Sequence, residues 1–370
     1  STICSRRCLR PACAARAPLP ANSVAGTASS IARCLGLPPR ARSHFTSSAC
    51  RHSFRANWPI GSSDMHRSTI KQRGVVLIAL LLGLYGCSVR QIAANRVGDA
   101  IAHGGASFAS DDDPELIRAA APFSLKLIDS LLDESPRHRG LLLAAARGYT
   151  QFAYAFVQQE AEQSEERDLA RALQLQDRAR RLYRRARDYG LRALALGRPG
   201  LASQLGTDPK RALISLPASE VALLYWTGAS WGGLIALSKE DPAVLAELPI
   251  VEALMDRALL LDDSFDRGAI HTFMISYEMV RKSGAGDSAE RARRHFARAM
   301  ELSSGQDAAP LLALAETVCV AQQRRTEFEA LLQQSLRIDT THAGGNRLAT
   351  IMAQRRARWL LSRTENLFND

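Results

Sequence analysis

Arg178-Ala179-Arg180-Arg181-Leu182-Tyr183-Arg184-Arg185-Ala186-Arg187-Asp188-Tyr189 places a small residue, a bulky ring and a small residue at spacings of four and then three. On a helix these positions share one face, because side chains three and four apart are neighbours. The spacing returns in Val251/Met255/Ala258, Ala292/Phe296/Ala299 and Phe328/Leu332/Ser335. Three residues after each set stands Tyr189, Leu261, Leu302 or Ile338, and Asp262, Ser303 and Asp339 follow the last three as polar stops. A bulky group flanked by small ones lets a second helix approach closely, which is the physical pattern of tetratricopeptide pairs. The offsets of 72, 41 and 36 residues are too irregular for an ideal array of about 34 residues per repeat. The fold class expected is therefore all-α: an α-solenoid-like repeat protein with degenerate tetratricopeptide-like helix pairs and a concave surface or channel.

Outward from this segment, nearly everything after residue 87 reads as helix, rich in Ala, Leu, Arg, Glu and Gln and poor in alternating strands. Asp111-Asp-Asp-Pro114-Glu115 is a helix start, with Asp113 as cap and Pro114 in the first turn. It lacks the spaced oxygen ligands and following Glu of a calcium loop. Pro122 is expected to bend or restart that helix, which then runs to Asp133. Further helices are expected over 139–158, 163–195, 219–238, 249–261, 267–282, 287–302, 308–323, 325–337 and 344–361, with Asp287 and Asp307 as caps. The connections are short, implying antiparallel neighbours. The longest, 197–218, is placed to divide two lobes or line a site.

The net charge of +11 dissolves when the chain is divided. Residues 1–64 hold nine Arg, no Lys and one Asp. Residues 65–86 add Arg67, Lys71 and Arg73, which leaves 36 basic and 36 acidic residues in 87–370. That neutral remainder has no global field to steer it to nucleic acid. The dividing feature is Leu84-Tyr85-Gly86-Cys87, preceded by a basic stretch from Met65 and an apolar run of 12 residues, Gly74–Tyr85. Such a run is short of the roughly 20 apolar residues a spanning helix needs. It reads as a lipoprotein signal peptide over 65–86, cleaved between Gly86 and Cys87, with the Cys87 thiol carrying the lipid, including palmitate. Residues 1–64 begin with Ser, lack periodicity and are expected to be a disordered, non-native upstream extension. Their Cys4, Cys8 and Cys13 lack the paired spacing of a zinc site. Cys319 is then the single unmodified cysteine of 87–370, expected as a small buried hydrophobe.

Candidate functional residues cluster in two apolar stretches. In Leu223-Leu-Tyr-Trp-Thr-Gly-Ala-Ser-Trp-Gly-Gly, glycines cost helix propensity and permit close approach by a helix or a ligand. Tyr225, Trp226 and Trp231 are candidates for an aromatic pocket or channel wall, against ordinary core packing. Tyr149, Phe152 and Phe156 share a helical face and carry the same two readings, while Tyr154 turns away. His271 is a candidate ligand donor, with a packing or capping role as the plainer account. The arginines of 178–192 lie among acidic neighbours and read as a solvated face or subunit contact, with no stacking platform for nucleic acid. No metal-ligand spacing, nucleophile elbow or phosphate loop is present in the sequence, so no metal, cofactor or catalytic residue is expected.

Several segments together resemble one family: Phe108-Ala-Ser-Asp-Asp-Asp-Pro114-Glu115, Ala121-Pro-Phe-Ser-Leu-Lys-Leu-Ile-Asp129, Tyr149-Thr-Gln-Phe-Ala-Tyr-Ala-Phe-Val157, Leu224-Tyr-Trp-Thr-Gly-Ala-Ser-Trp-Gly232, Gly268-Ala-Ile-His-Thr272 and Arg355-Arg-Ala-Arg-Trp-Leu-Leu361. From Cys87 onward the chain is similar to the TatT family, the lipoprotein T component of tetratricopeptide-associated TRAP transporters. The resemblance implies a periplasmic, lipid-anchored helical protein and a homotrimer. It also implies association with the periplasmic substrate-binding protein of a TRAP transporter and a part in binding or passing a small apolar solute. Ser88 after Cys87 is not an Asp retention signal, which in such lipoproteins implies sorting to the outer membrane. An envelope scaffold without a small ligand is the alternative, and an envelope enzyme ranks third.

Overall fold

Asp113 caps the first long helix as its sequence implies, its carboxylate accepting from the amides of Glu115 and Leu116 at 3.0 Å each. That helix, α2 (Pro114–Glu134), follows α1 over 91–102 in a computed structural model that describes residues 91–102, 104–342 and 346–369. The extension, the signal segment, Gly86 and Cys87 lie outside the described residues. Residues Ser68–Asp370 make a compact unit of their own. All the described residues fall within it, and they contain helices and turns without a strand.

α2 does not restart at Pro122 but runs 21 residues through it. Ile117, Leu125, Ile128 and Leu132 keep one buried stripe across the proline, so the lost amide is outweighed by packing. Next, α3 comprises Arg139–Phe152, a π-helical turn Ala153–Gln158 and Gln159–Ser164. The array continues as α4 (Leu169–Ala195), α5 (Val221–Ala236), α6 (Leu248–Leu261), α7 (Phe265–Glu278) and α8 (Ser288–Leu302). It ends with α9 (Ala309–Ala313, continued by a π-helical Leu314–Cys319), α10 (Arg325–Leu336) and α11 (Arg347–Leu361). The long connection before α5 carries two short helices, Leu201–Thr207 and Pro209–Leu213.

The even-numbered helices from α4 to α10 each lie over two odd-numbered ones: α4 over α3 and α5, α6 over α5 and α7, α8 over α7 and α9, α10 over α9 and α11. The result is an inner layer of odd helices and an outer layer of even ones. All four copies of the sequence pattern fall on outer helices. Ala179, Ala186, Val251, Met255, Ala258, Ala292, Ala299, Phe328, Leu332 and Ser335 are fully buried, and Tyr183 nearly so. Each outer helix thus presents its small–bulky–small face to the inner layer.

The core parts at α7 rather than at 197–218. Met274 and Tyr277 join the larger apolar cluster of α2–α6, while Ile275 joins the smaller one of α8–α11. Cys319 sits inside the second cluster, fully buried with a free thiol. Burial pushes that thiol up to about 12, so it is a neutral packing group at physiological pH.

The array then closes. α11 returns to the start of the chain, packing on the turn Ala106–Ala109 and on α2. Arg347 pairs with Asp112 at 2.7 Å and Arg356 with Glu162 at 2.6 Å. Beyond α11, Arg363 reaches Glu166 at 2.6 Å. Leu348 and Met352 add apolar contact with the larger cluster. The chain is thus an all-α helical-repeat array, as the sequence implies, with the odd-numbered helices on its inner side.

Candidate functional site

Tyr154 stands on the inner face of α3 and is 46% exposed. Burial pushes its hydroxyl up to about 12, with the charges of Arg356, Glu316 and Glu162 acting on it. Arg356 belongs to α11 and Glu316 to α9, so the ring faces other helices of the inner layer. Exposed Gln151 and half-buried Arg147 and Gln158 continue the same stripe of α3 at helical spacing.

The facing walls come from the other inner helices. Tyr225 of α5 is half-buried, and burial raises its hydroxyl further still, with Asp266, Asp307 and Tyr154 as the nearest influences. Its ring meets Trp226 at 4.9 Å and Phe265 at 5.5 Å, an aromatic cluster at the junction of α5 and α7. Asp266 is brought there by a strained turn: Asp266, Arg267 and Gly268 are all left-handed, with φ of 45°, 57° and 94°. Gly268 permits this because a Cβ would lie 3.2 Å from Cα of Ala299 in α8. Burial, then Asp307, raises the Asp266 carboxyl, partly offset by Arg267 and Arg147. Side chains from α3, α5 and α7, with Asp307 before α9, therefore converge on one chamber-like inner face.

Opposite, the two π-helical turns meet across Arg356. Its Nε and Nη2 donate to the two Glu316 oxygens at 2.5 and 2.8 Å, while Nη1 reaches Glu162 at 2.6 Å. Glu316 belongs to the second π turn and Tyr154 to the first. Such turns widen a helix locally and recur where function needs a side chain re-aimed. Arg356 is 9% exposed in its side chain, so this forked pair is a largely dry lock between α3, α9 and α11.

The residues singled out in the sequence divide between this chamber and the core. Tyr225 and Trp226 stand at the chamber. Tyr149, Phe152, Phe156 and Trp231 are buried in the larger apolar cluster. Tyr149 donates to Asp129 at 2.8 Å, beside Tyr189 at 2.7 Å, and Lys126 also reaches that carboxylate. Trp231 Nε1 donates to Glu247 at 2.5 Å under the guanidinium of Arg187. His271 packs against His295, ring nitrogen to ring nitrogen at 2.8 Å, between α7 and α8. Asp266 and Arg147 were not singled out by the sequence, Asp307 only as a helix cap, and Tyr154 only as the aromatic that leaves the shared face. The one signal for Tyr154 was that it turns away from the Tyr149/Phe152/Phe156 face, and the face it turns to is the interior. Among the described residues no cluster of three or more His, Cys, Asp or Glu is arranged to hold a metal. Nor is any described helix long and apolar enough to cross a membrane.

A two-layer array of antiparallel helix pairs, its last helix packed back on its first, defines a helical-repeat protein. The family model described as TRAP transporter T-component matches residues 110–368, from just before α2 to the end of the array. The chain belongs to that family. It is also 28% identical over 267 residues to an uncharacterized protein of Treponema pallidum (strain Nichols), covering 71% of this chain and 83% of that protein.

Proposed function

We propose that this T-component is a lipid-anchored accessory of its TRAP system. It binds the substrate-binding component and holds a small, largely apolar solute in the inner chamber. In this reading the chain is cleaved after Gly86, Cys87 carries the lipid, and residues 1–64 are absent from the mature protein. The body sits on the periplasmic side of the envelope, at the outer membrane, as a homotrimer. Its role is binding, and the reading assigns no catalytic residue, metal or cofactor.

The observation that supports the solute reading is the inner face where Tyr154, 46% exposed, lies near Tyr225 and its aromatic neighbours Trp226 and Phe265. Apolar walls with a few convergent polar groups are the usual make-up of small-molecule sites. The test is native mass spectrometry of residues 88–370 with the cognate substrate-binding protein and copurified small molecules. The expected result is a complex and a retained solute, with retention lost in Tyr154→Ala and Tyr225→Ala. A complex without any solute returns the protein to a scaffold role, and absence of the complex overturns the accessory role.

A further inference from the structure

The outer surface of α4 carries a feature the chamber does not use. Arg181, Arg184, Arg185 and Arg192, with Asp188 and Tyr189, surround an open hollow of about 330 Å³. All four arginines are exposed. Arg187 is engaged by Asp188 and Glu247, and Arg180 by Asp177 and the Leu237 carbonyl. Arg185 shares the already partnered Asp129 at 3.4 Å, and Arg192 donates to the carbonyl of Pro136 rather than to a carboxylate among the described residues. Among the described residues, Arg181 and Arg184 have no carboxylate partner. Like charges four apart weaken a helix, so Arg181 beside Arg185 marks a surface that gains from an external anion.

The guanidinium groups are also held in place. Arg185 lies over the Tyr149 ring at 5.2 Å and donates to its hydroxyl at 3.1 Å. Arg192 lies over Tyr189 at 5.4 Å. Planar forks fixed by stacking suit the oxygens of a phosphate.

The position of the hollow selects which phosphate. Arg192 bonds Pro136 at 3.1 Å, in the loop that also holds α1. There Ser135 donates to Asn95 at 2.7 Å, the His138 ring meets the Asn95 carbonyl at 3.3 Å, and Asp99 lies 3.3 Å from the same ring. The first described residue of α1 is 91, four positions from Cys87, a separation of at most about 14 Å. We propose that the arginine face of α4 docks on the phosphate head groups of the leaflet that holds the lipid tether. The proposal rests on the anchoring of Cys87, and it makes the body a second, electrostatic contact with the membrane.

The test uses residues 88–370, which contain every described helix. They are sedimented with vesicles of phosphatidylethanolamine and phosphatidylglycerol, and with vesicles of phosphatidylcholine alone. Binding is expected on the anionic vesicles only, to fade with added salt, and to fall at least about tenfold in Arg181→Glu/Arg184→Glu. Neither residue has an internal ion pair, and an unchanged helical circular dichroism spectrum certifies the variant's fold. Equal binding to both vesicles, insensitivity to salt, or unchanged binding by the variant overturns the proposal. So does an arginine face that captures inorganic phosphate or an acidic protein while ignoring vesicles. Residues 88–370 lack Cys87, so the vesicle result reads the arginine face alone. A mass measurement of Cys87 in the native envelope reads the tether, and the two fail separately.

Discussion

Arg355 and Glu115 are 240 positions apart in the chain and form a two-pronged ion pair, Nη1 to Oε1 at 2.5 Å and Nη2 to Oε2 at 2.9 Å. Both are substantially exposed, at 42% and 69% of their side chains, so solvent screens the pair. Its neighbour Arg356 makes the buried counterpart to Glu316 and Glu162. The seam therefore has a wet edge and a dry centre, with different energetic weights.

Arg355→Ala is expected to cost under about 1 kcal/mol. Arg356→Met leaves two partly buried carboxylates without their cation and is expected to cost about 3 kcal/mol. Urea unfolding of the two variants checks the ranking, and equal losses would contradict the dry-lock account.

The His271–His295 pair sets an acid limit. Burial, then the neighbouring His271, lowers His295 to about 4, against the favourable pull of Glu278. Burial likewise lowers His271, against Asp263 and with Arg298. The unfolded chain binds these protons near pH 6.5 and the folded chain does not. Stability is thus full above about pH 6.5 and declines as pH falls toward 4. The decline attributable to His295 is on the order of 2–3 kcal/mol. His295→Gln should flatten that limb in a stability–pH series.

Three glycines separate tight from yielding contacts. A Cβ on Gly233 would lie 2.7 Å from the Tyr183 ring, and one on Gly190 would collide with Thr227. Alanine at either is expected to cost about 1–3 kcal/mol. At Gly228 the obstruction is the Met255 methyl at 2.9 Å, the mobile end of a flexible chain. There the helix preference for Ala over Gly, up to about 1 kcal/mol, should offset the contact. Thermal melts of the three variants give the comparison.

Phe152 and Tyr154, two residues apart, should respond in opposite ways. Phe152→Ala empties a core position and is expected to cost about 3–5 kcal/mol. Tyr154→Ala removes a ring that projects into the chamber and is expected to stay within about 1 kcal/mol. A large loss at Tyr154 in denaturant titration would place it in the packed core after all.

The outer helices were legible because each is amphipathic in the ordinary way. α4 and α8 have one apolar stripe, and their small–bulky–small pattern is the side that packs. The inner helices were legible as helices, but not in which face points where. α5 is apolar nearly all round, since α4, α6 and the chamber claim different sides of it, so periodicity could not tell Tyr225 from Trp231. In α3 and α9 the π turns add a residue to the local winding, which disturbs the 3.6-residue count on which a face assignment depends. Pro122 does not restart its helix, because a strong buried stripe on both sides carries the helix through it. Closure was invisible, because ion pairs such as Arg363–Glu166 leave no mark on local pattern.

Closure also divides the folding problem unequally. Each helix pair can form from neighbours in sequence, as in other repeat arrays. The joining of α11 to α2 and the end of α3 brings together positions about 200 residues apart. Contacts of such long range carry the loop-closure cost and form late. The two ends of the repeat array thus behave as a clasp, assembled last and dependent on a few arginines.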